Sequence, residues 1–385
     1  WFQGCGAPKT AFDHIPHVTG SGTMEVLASD EGAGAGSWRL EDVVTLIVVT
    51  SPIRSHPCTE MLEGLLRSYV EGGGLGACAK FVVSDGYTAA AQGQRERQKH
   101  GRVPADWGQP YEEYRDCLDA LIDAAAAPRS PSCDGQCGDG HLGGGGGGEC
   151  TAGARSVAAF ERCTHLRMER HTGFGGCTKA ALKLTTTPYV LVIQHDRPLH
   201  RPFDPCRVLR AMEASEGAIK YVGLPTKASL ARTLPMHIQM RSRIPIPEQD
   251  TDPQVDRVAA DAGISLRRLF FWYDSTHFCL ASFYRDFVFA PGRVPGGGFP
   301  EDSLGQEMHA EVCASARLGT WREVHAKFGT YLLVDDLGPM VGHQRGRRYV
   351  AQAEVQQKGW NKSLKLPYAA PAAQPASNSE NDDSD

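Results

Sequence analysis

Several polar clusters follow directly after apolar runs, where side chains can meet a ligand. Thr50-Ser51-Pro52-Ile53-Arg54 closes the run Val43–Val49, Ser84-Asp85-Gly86 closes Lys80–Val83, and Gln194-His195-Asp196-Arg197 closes Tyr189–Ile193. If those runs are parallel strands, their polar ends lie along one edge of a sheet, where open α/β sheets bind ligands. A carboxylate and an imidazole at that edge can hold a divalent cation that bridges the phosphates of a nucleotide. Another cluster, Glu301-Asp302, follows Gly296-Gly297-Gly298-Phe299-Pro300. The glycines let backbone approach a ligand closely, and Pro300 stiffens the turn. A carboxylate so presented could act as general base toward a hydroxyl. His343, beside Arg345, Arg347 and Arg348, adds a candidate metal ligand with phosphate-facing cations. Each cluster also has a plainer reading. Asp196 could cap the turn before Pro198, Asp85-Gly86 could be a simple turn, Glu301-Asp302 could complement a helix dipole, and His343 could be structural.

The elements that must position these groups alternate between strand and helix. Val43–Thr50 is apolar throughout, as expected for a strand buried on both faces. Helix Cys58–Glu71 follows and stops at Gly72-Gly73-Gly74, and Lys80–Gly86 reads as the next strand, completing a right-handed β-α-β unit. Tyr111–Ala127 reads as helix, Thr164–Glu169 as strand, Gly175–Thr186 as helix, Tyr189–Ile193 as buried strand, Cys206–Glu216 as helix and Ile219–Leu224 as strand. A polar connector (Thr226–Asp252), an aromatic stretch (Leu269–Phe289), a helix to about Arg317 and a strand Thr330–Val334 complete the pattern. The resulting expectation is an α/β fold with a mostly parallel sheet flanked by helices. It comprises an N-terminal extension (1–40), one domain over 41–350 and a C-terminal extension (351–385) ending in a disordered acidic tail. A flexible Gly-rich insertion at about 128–155 interrupts the domain.

Composition narrows the partners. The 385 residues hold 40 Lys+Arg against 45 Asp+Glu, and four of the acids (Glu380, Asp382, Asp383, Asp385) sit in the tail. The remaining body is close to neutral, which argues against nucleic-acid binding and against an anionic membrane surface. No apolar run approaches the ~20 residues of a membrane-spanning helix. The first residue is Trp1 rather than Met, so an upstream anchor is compatible with the sequence. Twelve cysteines are not a disulfide-scaffold density for this length. Asn361-Lys362-Ser363 is a glycosylation sequon.

In this order along the chain, the motifs resemble those of GT-A nucleotide-sugar-dependent glycosyltransferases of the family-2 type. The apolar first strand comes first, then Asp85. Next is Arg170-His171-Thr172-Gly173-Phe174-Gly175-Gly176, like the glycine-containing segment that precedes Asp-x-Asp in many such enzymes. Gln194-His195-Asp196 stands where the family has Asp-x-Asp, Gly-Gly-Phe-Pro-Glu301-Asp302 where it has x-Glu-Asp, and His343 is the C-terminal histidine. The resemblance covers residues 43–350 apart from the insertion. It implies a GT-A (Rossmann-like) fold and a UDP- or GDP-linked sugar donor. The acceptor would be a glycan, protein or small molecule. Asp196 and His343 would hold Mn²⁺ or Mg²⁺, and Thr50, Ser51, Arg54, Asp85, His195 and Arg345 would contact the donor. Asp302 would be the base of an inverting displacement, with Glu301 beside it. Trp272, Tyr273 and Asp274 fall where such enzymes bind acceptors, although the aromatic pair is equally compatible with core packing. The resemblance also implies the lumen of the Golgi or endoplasmic reticulum, with the cytoplasm as the alternative.

Gln194 departs from the family pattern by replacing a carboxylate with an amide. It motivates the non-enzymatic alternative, a degenerate GT-A-like module that binds sugar or a partner without turnover. A nucleotidyltransferase would want a Gly-rich basic loop after the first strand, and Ser51–Ser55 is not one. Cys133, Cys137, His141 and Cys150 could bind zinc, but their spacing matches no familiar ribbon or finger, and a disulfide there is the stronger expectation in a secretory protein.

Overall fold

The computed structural model describes residues 39–91, 101–127, 157–231, 252–344 and 346. All of them fall within one compact unit, Trp38–Asp385. Outside the described residues lie most of the expected N-terminal extension, the Gly-rich insertion with its four candidate zinc ligands, Arg345, the sequon and the acidic tail.

The described chain is a mixed α/β structure around an eight-stranded sheet. In chain order its strands are β1 (Val44–Thr50), β2 (Ala79–Ser84), β3 (Cys163–Arg167), β4 (Tyr189–Gln194), β5 (Tyr221–Gly223), β6 (Ser265–Arg268), β7 (His277–Leu280) and β8 (Thr330–Val334). They lie side by side in the order β3-β2-β1-β4-β7-β5-β8-β6. The pairs β3-β2, β2-β1, β1-β4 and β5-β8 are parallel. The pairs β4-β7, β7-β5 and β8-β6 are antiparallel. The expected parallel half is therefore present, whereas the second half is mixed.

The seven longer helices are α1 (Glu60–Gly73), α2 (Gly108–Ala126), α3 (Gly173–Leu184), α4 (Pro205–Ala214), α5 (Pro253–Asp261), α6 (Gln306–Ala316) and α7 (Trp321–Phe328). In α1 the apolar residues Leu62, Leu65, Leu66 and Tyr69 recur at helical spacing and are all buried. The helix ends at Gly74, whose φ of 63° few other residues adopt, and the Gly74 N–H closes onto the Tyr69 carbonyl. Asp204 and Asp252 cap α4 and α5, each followed by proline in the first turn.

Every residue of β1 is buried, because helices cover both sheet faces. Val44, Leu46 and Val48 point into a core shared with α1, α2, α4 and α5. Ile47 and Val49 point the other way, into a core shared with α3, α6 and α7. This period-two division follows from the pleat. Among the described residues no helix is long and apolar enough to cross a membrane.

Sequence reading missed α5, β6, β7 and α7. The strand β7 lies inside the aromatic stretch Leu269–Phe289, where bulky residues facing both cores hide the alternation. Its insertion has a positional consequence. Because β7 runs antiparallel to β4, the residues entering β7 (Asp274-Ser275-Thr276) lie at the sheet edge where β4 ends in Gln194.

Candidate active site

A cavity of about 620 Å³ opens at the carboxyl ends of β1, β2 and β4. Its wall includes Ser51, Asp85, His171, Gln194, His195, Asp196, Arg197, Phe174, Phe299 and His343. Sequence reasoning pointed to Ser51, Asp85, His195, Asp196 and His343. The other predicted residues that are described, namely Thr50, Arg54, Trp272, Tyr273, Asp274, Glu301 and Asp302, are not part of that wall.

Asp196 and His343 meet here. After β8 the chain returns antiparallel to the segment following β4: Leu199 bridges Val341, and the Gln344 N–H donates to the Asp196 carbonyl. This places His343 Nε2 3.1 Å from Asp196 Oδ2. The same oxygen accepts the Gly346 N–H at 3.1 Å, and Arg197 Nε stands 4.0 Å from Oδ1. Burial alone would raise the Asp196 carboxyl. The hydrogen bond to His343, the charge of His195 and the Gly346 N–H outweigh it and hold the carboxyl well below the usual range.

The Asp196 carboxylate is a donor that Mg²⁺ or Mn²⁺ accepts, whereas the His343 imidazole is a borderline one, and a cation between them would replace the hydrogen bond they now make. Two ligands each about 2.1 Å from an octahedral ion stand about 3 Å apart, which matches the separation of Asp196 from His343. Among the described residues no cluster of three or more His, Cys, Asp or Glu stands ready for a metal. At nucleotide sites Mg²⁺ is held by one or two carboxylates, with substrate phosphates and water completing the shell, and Asp196 is the carboxylate available here.

His195 turns its Nδ1 toward β1 while Nε2 lies beside Gly346. Its Nδ1 accepts the Ser51 N–H at 3.2 Å and lies 3.0 Å from Thr50 Oγ1, so it ties the end of β4 to the end of β1. Burial pushes its pKa down, with Asp196 opposing. Thr50 Oγ1 is buried and also contacts the Tyr114 hydroxyl at 3.1 Å, so the expected donor contact through this side chain is replaced by an internal one. Arg54 is exposed on the following turn.

Asp85 holds the wall of the cavity together. Its carboxylate accepts the Thr172 N–H (2.8 Å), the Thr172 hydroxyl (3.2 Å) and the Gly173 N–H (3.1 Å), and His171 Nδ1 lies 2.7 Å from Oδ2. It therefore caps α3 from a neighbouring strand.

The two glycine clusters pack on one another at Gly297 and the Gly298 carbonyl, so Gly297 makes room for the neighbouring turn, whereas a Cβ on Gly296 would meet nothing within 4 Å. A Cβ on Gly297 (φ 72°) would stand 1.6 Å from the Thr172 carbonyl oxygen, and one on Gly175 2.3 Å from the Gly298 oxygen. Side chains at these positions would force the two turns apart. Locked in this way, the turns stack Phe299 on Phe174 with ring centroids 5.2 Å apart and planes within 9°. Both rings border the cavity.

Trp272 is corrected as an acceptor platform. It is 0% exposed and packs among Tyr221, His277 and Tyr284, so it offers no face to a sugar. Tyr273 is half-buried against Phe271. Asp274 is 2% exposed and looks inward. Its carboxylate accepts the Trp272 indole N–H at 3.2 Å and the Glu301 N–H at 2.9 Å, while its own N–H donates to Glu301 Oε2 at 3.2 Å. Burial raises the Asp274 carboxyl well above its ordinary value, reinforced by the charges of Glu301 and Asp302 and opposed by those two N–H groups. Asp302 is exposed, on a turn that begins at Phe299, whose carbonyl accepts the Asp302 N–H at 3.0 Å.

His171, Phe174, Arg197 and Phe299 escaped the sequence assignment. All lie inside motifs whose neighbouring residues drew attention, and nothing in an aromatic side chain's type separates cavity wall from core.

No protein-family model matches the chain, and no curated protein matches it in sequence. Among solved structures, S. aureus TarS is similar at 12% identity and TM-score 0.34, over 77% of this chain and 36% of that one. The chain thus spans about a third of TarS. Glucosyl-3-phosphoglycerate synthase from Mycobacterium tuberculosis, in complex with Mn²⁺, uridine diphosphate and phosphoglyceric acid, is similar at 12% identity and TM-score 0.33, over 84% of this chain and 79% of that one. The same enzyme with Mn²⁺ and UDP-glucose gives 11% identity and TM-score 0.32, over 84% and 80%. At scores this low, the geometry of the site carries the functional reading.

Proposed function

We propose that the chain is a glycosyltransferase of the GT-A type that moves a sugar from a nucleoside-diphosphate donor to an acceptor hydroxyl. The observation that supports this most is the pairing of Asp196 with His343 at the edge of a cavity formed by strand ends. Such a pair suits a diphosphate with its cation.

The donor would lie over the ends of β1 and β4, with its diphosphate toward Asp196, His343 and Arg197. Those two ligands would hold Mn²⁺ or Mg²⁺, which when bound neutralises charge on the departing nucleotide. Phe299, supported by Phe174, would offer an apolar face to the sugar. Asp302 would accept the proton of the acceptor hydroxyl as its oxygen bonds to the anomeric carbon. The bond from that carbon to the diphosphate oxygen breaks, and the nucleotide diphosphate leaves with inversion. Glu301 would orient the turn that presents Asp302.

The test is release of nucleotide from a panel of UDP- and GDP-sugars in the presence of Mn²⁺. We expect turnover with at least one donor and a fall of roughly 10²-fold or more in Asp302→Asn. Unchanged turnover in that variant would remove Asp302 from the mechanism. No release from any donor, together with no nucleotide binding by calorimetry, would overturn the reading.

A further inference from the structure

The first position of the Asp-x-Asp-like motif is an amide, and the structure supplies a use for it. Gln194 Nε2 donates to the backbone carbonyl of Asp274 at 2.7 Å. A carboxylate at this position has no hydrogen to donate and would face the carbonyl oxygen with its own lone pairs. Asp274 in turn is bonded twice to Glu301: the Asp274 N–H donates to Glu301 Oε2 at 3.2 Å, and Asp274 Oδ2 accepts the Glu301 N–H at 2.9 Å. The Trp272 indole N–H on Oδ1, at 3.2 Å, fixes the rotamer of the carboxyl.

We propose that Gln194, Asp274 and Glu301 form a hydrogen-bonded tie that sets the register between the Asp196 side of the site and the Glu301-Asp302 turn. Gln194 and Asp274 are positioning residues in this tie. The antiparallel entry of β7 beside the end of β4 brings the first link together. The helical turn Glu301–Gly305 begins with the Glu301 N–H, which Asp274 caps. Gln194 is therefore a substitution with a function: the motif gives up one acid to gain a donor that anchors the opposite side. Displacing a reacting group by about 1 Å costs as much as 10²-fold in rate, so a tie of three bonds between the two sides bears on the rate through position alone.

The catalytic arm of the test rests on the glycosyltransferase reading, and the second arm does not. Gln194→Glu keeps the length of the side chain, restores an acid to the motif and deletes the donor. If the acid were simply missing from the metal site, this variant would turn over as fast as the parent or faster. The tie predicts a fall in kcat of roughly 10- to 100-fold with the KM for donor little changed. Equal or higher kcat would overturn it.

Residue-resolved amide exchange needs no substrate. Faster exchange at the Asp274 and Glu301 amides is expected in Gln194→Glu. In Glu301→Ala exchange at Asp274 is expected to rise, whereas Glu301→Gln, whose side-chain carbonyl still accepts, is expected to keep its protection. Unchanged exchange at Glu301 in folded Gln194→Glu would overturn the tie. If the parent protein turns over no nucleotide sugar, the function proposed above fails, and the exchange result alone decides the tie.

Discussion

His343 Nε2 lies 3.1 Å from Asp196 Oδ2 although one residue follows β4 and the other β8. If this pair holds a divalent cation on the donor diphosphate, Asp196→Asn and His343→Ala lower nucleotide affinity in Mn²⁺ by tenfold or more, about 1.4 kcal/mol. In EDTA the parent and both variants bind alike. Titration calorimetry with UDP and GDP checks both conditions.

Asp85 is predicted to act on stability. Its carboxylate serves two N–H groups and a hydroxyl at the start of α3 and lies against His171. Asp85→Ala leaves those half-buried donors without their acceptor, a loss of about 1–3 kcal/mol. Chemical denaturation measures the cost. An unchanged midpoint with lost nucleotide affinity would return Asp85 to a donor contact.

Two aromatic residues separate core from cavity. Trp272→Ala removes a side chain that is 0% exposed and is expected to cost about 3–5 kcal/mol of stability. Phe299→Ala removes a half-buried ring at the cavity and is expected to cost less stability while raising the donor or acceptor KM. Melting curves beside steady-state kinetics make the comparison.

Gly297→Ala puts a methyl group 1.6 Å from the Thr172 oxygen, so one turn must move. At Gly296, by contrast, a Cβ meets nothing within 4 Å, and only its φ of 64° is unfavourable, at about 1–2 kcal/mol. Gly297→Ala is expected to lower Tm further than Gly296→Ala and to lose turnover with it, since the displaced turn carries Phe299 and Asp302.

His325 predicts a pH dependence. It is 1% exposed, its Nε2 lies 3.0 Å from the Thr330 carbonyl, and burial, helped by the charge of Arg268, pushes its pKa down to about 4. In the unfolded chain it titrates near its ordinary value of about 6.5. Between these values the unfolded state binds the extra proton. The stabilisation is complete above about 6.5 and is lost as pH falls toward 4, by up to about 3 kcal/mol. His325→Gln, which can still donate to Thr330, is expected to lessen the slope of stability between pH 6.5 and 4 by this residue's share, the rest coming from groups such as His277 that burial also pushes down, in denaturation series at fixed salt.

The parts of this protein written in local pattern were legible from residues alone. The all-apolar run that became β1 and the 3.6-residue spacing of α1 follow from burial and periodicity, which act over a few residues, whereas the Asp-Pro start of α5 is equally local and was overlooked. The polar ends of β1, β2 and β4 could likewise be placed on one edge, because parallel strands share a direction. Sequence also supplied Asp196 and His343 as candidates.

What sequence did not determine was which neighbours those side chains would meet. Asp85 borders the cavity, and α3, which starts beside it, takes up its carboxylate oxygens. Gly297 could have made room for substrate, but it makes room for Thr172. Trp272 could have stacked on a sugar, but β7 carries its segment into the core. Asp196 and His343 became a pair only when the chain after β8 returned along Leu199. These outcomes depend on contacts between residues far apart in sequence. Residue types and order set the chemistry available to this chain. Strand order and direction decided which groups face the cavity and which hold it in shape.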